Sequence, residues 1–177
     1  AFIDFIKNGE DLSFKHFESD RVIIIRAFTK FFGIPGLRLG YSICYNKKWV
    51  STANNLKEPW TINTFAASCG EFLLNSNKFI EKTYKTLEKE KNRMLNGLTK
   101  IKNIRVFKSE SNFLLIKLME ISGTELYNKL LEKGFLIRRC ENFNFLDDSY
   151  VRIAIKDKKS NKNFIKAINK ITKNRNV

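Results

Sequence analysis

Histidine is all but missing from this chain of 177 residues: it has one, His16, alongside three cysteines and two prolines. A lone histidine reads as a surface residue, not a metal ligand. The cysteines, Cys44, Cys69 and Cys140, share neither a metal-ligand nor a disulfide spacing, which suits a reducing cytoplasm. No apolar run approaches the ~18–20 residues of a membrane-spanning helix, and no secretory leader is read at the start. Acidic residues are scarce too, 18 against 33 Lys and Arg. The deficit is uneven: residues 1–75 carry 9 basic and 7 acidic side chains, residues 76–177 carry 24 and 11. Such an excess invites a polyanionic partner. The lysines, however, are spread through helical segments among Glu and Asn, without a groove-like cluster or an interleaved aromatic platform. Neither nucleic acid nor membrane is therefore expected as a partner. What is present is ample for a core: 43% hydrophobic and 13% aromatic residues fit a packed globular protein.

One stretch organises the rest, residues 21–41, RVIIIRAFTKFFGIPGLRLGY. Val22 to Ile25, with Ala27 and Phe28 beyond Arg26, predict a strand buried on both faces. It runs into Thr29 and Lys30. Gly33, Pro35 and Gly36 then mark a sharply bent loop, Arg38 follows, and Leu39 to Tyr45 begin a second strand-like run. A lysine at the mouth of a buried strand is costly to desolvate unless something uses it. Burial beside another cation, here Arg38, would favour the free amine and make it a nucleophile. Thr29 and Arg38 offer a hydroxyl and a planar fork of donors, a good pair for phosphate oxygens.

This stretch resembles the lysine segment of the class I/II pyridoxal-phosphate enzymes of the aspartate-aminotransferase fold (fold type I), S/T-x-S/T-K followed by G-x-x-G-L-R-x-G. The resemblance implies that Lys30 is the catalytic Schiff-base lysine and that Thr29 and Arg38 bind the phosphate of pyridoxal 5'-phosphate. Ala27 stands where relatives often have Ser or Thr, so one phosphate hydroxyl is missing. The opening AFIDF resembles the end of the family's D-E-A-[YF] strand, with Phe2 in place of the usual Tyr. By that resemblance the pyridine-pairing Asp, the stacking aromatic and the first phosphate loop lie upstream. The chain alone is then incomplete, and the complete enzyme is a homodimer whose subunits share each active site. The implied fold class is α/β: part of the large pyridoxal-phosphate-transferase-like α/β/α domain, followed by a small α+β C-terminal domain.

The remaining chain reads accordingly. Residues 7–20 predict a loop or short helix. Asn46 caps a helix through Trp49, Val50 and Ala53, which Pro59 breaks, and Thr61 starts another. Trp60 is either a simple staple for that helix or a substrate-binding residue. Residues 77–102 predict one long amphipathic helix. The predicted division is thus residues 1–76 for the end of the large domain, 77–102 for the connecting helix and 103–177 for the small domain. Within the last, Arg105–Phe107, Phe113–Leu118, Phe135–Arg138 and Tyr150–Ile155 predict strands. A helix follows the capping pattern at Ser122, with Gly134 as its stop, and a final helix carries Phe164, Ile165, Ile168 and Ile171 inward.

Arg138 and Arg152 sit among apolar strand residues and need partners, since a guanidinium cannot shed its charge. Asp147 or Asp148 is one possibility and an anionic substrate the other. The resemblance implies that Arg152 binds a substrate carboxylate and that Arg138, as in the branch acting on phosphorylated amino compounds, binds a phosphate. Arg139 alternates to the opposite face. FTKFFGIPGLRLGY, EPWTIN and LIRRCENF resemble the branch holding the histidinol-phosphate aminotransferases and threonine-phosphate decarboxylases. The reading favours decarboxylation of threonine phosphate, a step of cobalamin biosynthesis. Transamination of histidinol phosphate is the alternative, and an inactive structural fragment is the non-enzymatic one.

Overall fold

Apolar runs on either side of Lys30 form the two strands of a hairpin. In the computed structural model, which describes residues 2–173, β1 (Ile23–Ala27) pairs antiparallel with β2 (Gly40–Cys44), Ala27 lying opposite Gly40 and Ile23 opposite Cys44. The chain divides into two compact units, Ala1–Lys82 and Thr83–Val177.

In the first unit, residues before the hairpin form three short 3-10 turns, Ile3–Phe5, Gly9–Leu12 and Phe14–His16. The strand was expected to be buried on both faces, and here the structure differs. Arg26 is buried, whereas Ile23 is exposed and Ile25 is 78% exposed. A two-stranded hairpin needs a layer on each side for full burial, and among the described residues the Ile23–Ile25 face has none. Helix α1 (Lys47–Leu56) starts at Asn46, whose side chain accepts from the amides of Lys48 and Trp49. Helix α2 (Thr64–Leu74) starts later than Thr61 because Asn63 is its cap, accepting from Ala66 N at 2.9 Å. Phe5, Phe31, Phe32 and Phe79 pack in series, tilted, edge-to-face and stacked in turn, with ring centroids 5.2 to 5.7 Å apart. Helix α3 (Asn77–Leu98), 22 residues long, begins in this unit and has most of its length, from Thr83 on, in the second.

In the second unit β3 (Ile104–Val106), β4 (Phe113–Leu118), β5 (Arg138–Arg139) and β6 (Tyr150–Ala154) make an antiparallel sheet of order β3-β4-β6-β5. Helices α4 (Gly123–Leu131) and α5 (Lys158–Lys173) complete the α+β unit. Alternation decides the faces. Leu114, Ile116, Leu118, Val151 and Ile153 join Met94, Leu98, Leu126, Leu130, Phe164 and Ile168 in one core, while Phe113, Leu115, Tyr150 and Arg152 stand on the other face. Strand β5 is shorter than predicted. Gly134, at φ +76, ends α4, and the amide of Phe135 turns back to Leu130 O at 2.9 Å, so the ladder begins only at Arg138. Helix α5 starts where Asp157 accepts from the amides of Lys159 and Ser160, and it presents Lys158, Lys162, Lys166 and Lys170 to solvent at every fourth position.

A polar cluster is buried among the described residues of this unit. Glu90, 4% exposed, receives Arg93 Nε at 3.0 Å and Asn161 Nδ2 at 3.0 Å. Asn161 also brackets the backbone of Lys156, accepting from its N–H at 2.9 Å and donating to its C=O at 2.7 Å. Burial raises the Glu90 carboxyl, but the hydrogen bonds from Asn161 and Arg93 outweigh it and hold the group below its usual range.

Candidate functional site

The hairpin carries a loop from Phe28 to Leu39, closed by Phe28 N donating to Leu39 O at 3.2 Å. Its first part is a single turn: Phe32 N bonds Phe28 O at 3.2 Å and Ile34 N bonds Thr29 O at 3.1 Å. Lys30 lies in that turn with its side chain in solvent, so the burial expected around it is not supplied by these residues. Neither the Lys30 amine nor the Thr29 hydroxyl has a hydrogen-bond or ionic partner among the described residues.

The loop then narrows through a 3-10 turn, Pro35–Leu37, to Arg38, whose φ of +55 is left-handed. That conformation costs an L-residue about 1–2 kcal/mol. Two contacts hold it: Arg38 Nη1 donates to Pro35 O at 3.0 Å, and Asn63 Nδ2 donates to Leu37 O at 3.1 Å. Gly40 closes the loop tightly, because a Cβ there would come within 2.7 Å of Arg26 O. A free amine, a free hydroxyl and a guanidinium with donors to spare are a donor set suited to a phosphorylated aldehyde cofactor. Trp60 is 95% exposed with φ +65, so it is no staple for α2.

In the second unit Arg138 and Arg152 are direct register partners across β5 and β6 and therefore share a face. The acidic partners considered from the sequence are engaged elsewhere. Asp147 accepts from Ser149 N at 2.8 Å, and Asp148 from Thr124 N and Oγ1 at 2.9 and 3.0 Å. Instead of carboxylates the arginines have aromatic rings. Arg152 lies over Phe113 at 4.7 Å, and Arg138 over Phe143 at 5.6 Å while donating to Asn142 Oδ1 at 2.8 Å. Two cations with no neutralising acid among the described residues make this a cationic face with guanidinium donors turned to one side. Arg139 points the other way, to Thr124 Oγ1 at 2.8 Å and Glu141 at 2.5 Å. Burial pushes the nearby Cys140 thiol up, against the pull of both arginines.

Sequence reasoning missed Asn63, which fixes the loop beside Arg38, and the rings beneath the two arginines. A cap motif reveals only one of the bonds Asn63 makes. The pairing of ring with cation depends on strand register, which single residues do not display.

The hairpin with its lysine loop and the α+β unit with its paired arginines both fall within one family match: the profile of the aminotransferase class I and II family covers residues 1–168, and the chain belongs to that family. Its fold is that of solved relatives. A histidinol-phosphate aminotransferase from Clostridium acetobutylicum superposes with a TM-score of 0.90 at 40% identity, over 98% of this chain and 53% of that one. A protein of Caldanaerobacter subterraneus subsp. tengcongensis, provisionally named a threonine-phosphate decarboxylase, is 38% identical over 175 residues, 95% of this chain and 46% of its own length. The histidinol-phosphate aminotransferase of Methanocaldococcus jannaschii is 33% identical over 171 residues, again with 46% of its length covered. The chain thus spans about half the length of the relatives it matches.

Proposed function

We propose that the protein carrying this chain is a pyridoxal-phosphate-dependent enzyme acting on a phosphorylated amino acid or amine. Lys30 carries the cofactor as a Schiff base, and Thr29 and Arg38 hold its phosphate. Arg152 binds the substrate carboxylate, Arg138 its phosphate, and Trp60 narrows the pocket. By analogy with the family, the enzyme works as a homodimer, residues 1–76 end its large domain, and residues 103–177 form its small one. Bound pyridoxal phosphate supplies the electron sink for a carbanion. The residues of this chain bind, orient and exchange protons: the arginine forks fix the substrate by its anionic ends, and the Lys30 amine is the base placed to hold or move a proton at the substrate carbon.

The observation that carries this reading is the cross-strand pair Arg138–Arg152, left without acidic partners among the described residues. Two fixed cationic forks suit a substrate with two anionic groups. Threonine O-phosphate has a carboxylate and a phosphate on a short skeleton. Histidinol phosphate has no carboxylate. Phe2, at the position where the family resemblance implies a Tyr in the aminotransferases, leans the same way, so decarboxylation of threonine phosphate is the reading we favour. Transamination of histidinol phosphate is the second, favoured by the 40% identity to an aminotransferase of that name.

Borohydride reduction of the cofactor-loaded, full-length protein is expected to label Lys30. Each substrate is supplied separately to unreduced, cofactor-loaded protein while carbon dioxide release and 2-oxoglutarate-dependent glutamate formation are followed together. Carbon dioxide from threonine phosphate without an oxo-acid acceptor supports the first reading. Glutamate from histidinol phosphate, with no carbon dioxide from threonine phosphate, establishes the second in its place. A label on another lysine overturns both.

A further inference from the structure

Four residues before Lys30 stands an arginine that the hairpin has no evident reason to bury. Arg26 is 5% exposed in β1. Its Nη2 is shared between the carboxylates of Asp4 and Glu10, the latter at 2.9 Å, and its Nη1 lies 3.5 Å from Ser13 Oγ. Glu10 also holds Lys15 Nζ at 3.0 Å. Asp4 and Glu10 come from the first and second 3-10 turns, and Ser13 caps the third. One guanidinium thus gathers a segment, residues 3–16, that forms no strand ladder. The Glu10 hydrogen bond, opposed by burial and reinforced by Asp4, holds the Arg26 proton more tightly than usual, and Arg26 in turn lowers the Glu10 carboxyl.

The backbone of Arg26 does a second job. It pairs with Tyr41, and its carbonyl fills the space a side chain at Gly40 would need. Ala27–Gly40 is the last ladder pair before the loop of residues 28–39. Side chain and backbone of Arg26 therefore meet at the point where the chain leaves β1 toward Thr29, Lys30 and Arg38.

We infer that Asp4 and Glu10, closing on the buried guanidinium of Arg26, form a charge clamp that positions the Lys30 loop, an inference that rests on reading this loop as the cofactor loop. The clamp fixes the direction in which the chain leaves β1, and with it the placement of the amine, hydroxyl and guanidinium. Removing both carboxylates strands a buried positive charge, which regains solvation only by opening the strand end to water.

The test uses the full-length protein with Asp4→Asn/Glu10→Gln, which keeps Arg26 in place should Arg26→Met fail to fold, and Asp4→Glu as the conservative variant. Amide hydrogen exchange is followed in residues 3–16 and 28–39, and cofactor release is followed separately through its visible absorbance. The double variant is expected to exchange faster in both segments and to release cofactor about tenfold faster or more, in line with the cost of misplacing a binding group by about an ångström. Asp4→Glu is expected to restore both. Faster exchange confined to residues 3–16, with residues 28–39 and release unchanged, would overturn the inference and leave the clamp a fastening for the N-terminal turns alone. In a protein whose Lys30 takes no borohydride label the cofactor reading fails, and the exchange of residues 28–39 in the uncharged variant still decides for or against the clamp.

Discussion

Phe145 occupies the third position of a turn closed by Leu146 N donating to Phe143 O at 3.1 Å, with φ +68. A positive φ there asks for Gly or Asn, and Asn144 sits one place too early to supply it. The ring is 102% exposed, so no burial offsets the strain. Phe145→Gly is therefore expected to stabilise the protein by about 1 kcal/mol, seen as a higher urea midpoint. A lower midpoint would show that the ring makes stabilising contacts. The same scale shows what the sequence discloses. Lys30, Thr29 and Arg38 stand out because spacing and residue type coincide in a motif. Arg26 does not, because it reads as an interruption of an apolar run. A strand arginine needs a partner, which is legible in the sequence for Arg152 and holds with more force for Arg26. Its partners Asp4 and Glu10, however, lie in irregular turns that no periodicity marks.

Among the elements, the long helix, strand β4 and the capped helices were readable from periodicity and end signals. Strand β5 and the faces of β1 were not, because ladder pairing and covering layers are properties of neighbours. Gly97 shows how closely such neighbours meet. A Cβ on it would come within 2.5 Å of Ile165 Cδ1 and 3.1 Å of two further Ile165 carbons, so α5 packs directly on the α3 backbone. Alanine normally favours a helix over glycine by about 1 kcal/mol. Overpacking costs about 1–3 kcal/mol, so Gly97→Ala is expected to lower the thermal midpoint; a rise would mean that Ile165 can step aside. The Glu90 cluster gives a pH signature. A carboxyl held below its ordinary value of 4.5 contributes stability above that pH and loses it as pH falls through the lowered folded-state value. Urea midpoints measured from pH 7 down to about 3 should therefore fall less steeply below pH 4.5 in Glu90→Gln than in the parent. Equal slopes would show that the buried carboxylate is not the titrating group.

Over the whole molecule, charge is distributed as unevenly as function. The unit bearing the arginine face belongs to the part of the sequence with 24 basic against 11 acidic residues, and α5 contains no acidic residue at all. Lys158, Lys162, Lys166 and Lys170 stand one helical turn apart along its exposed side. Each adjacent pair repels by about 0.2–0.5 kcal/mol, a penalty that mobile ions relieve once the Debye length falls to about 10 Å at 0.1 M salt. Salt usually weakens a surface by screening its ion pairs. Here the sign reverses: adding sodium chloride up to a few tenths molar should raise the thermal midpoint, and Lys162→Glu should shrink that gain. The last helix is thus held to its core against its own self-repulsion, and the ionic strength of the surroundings sets how firmly it stays.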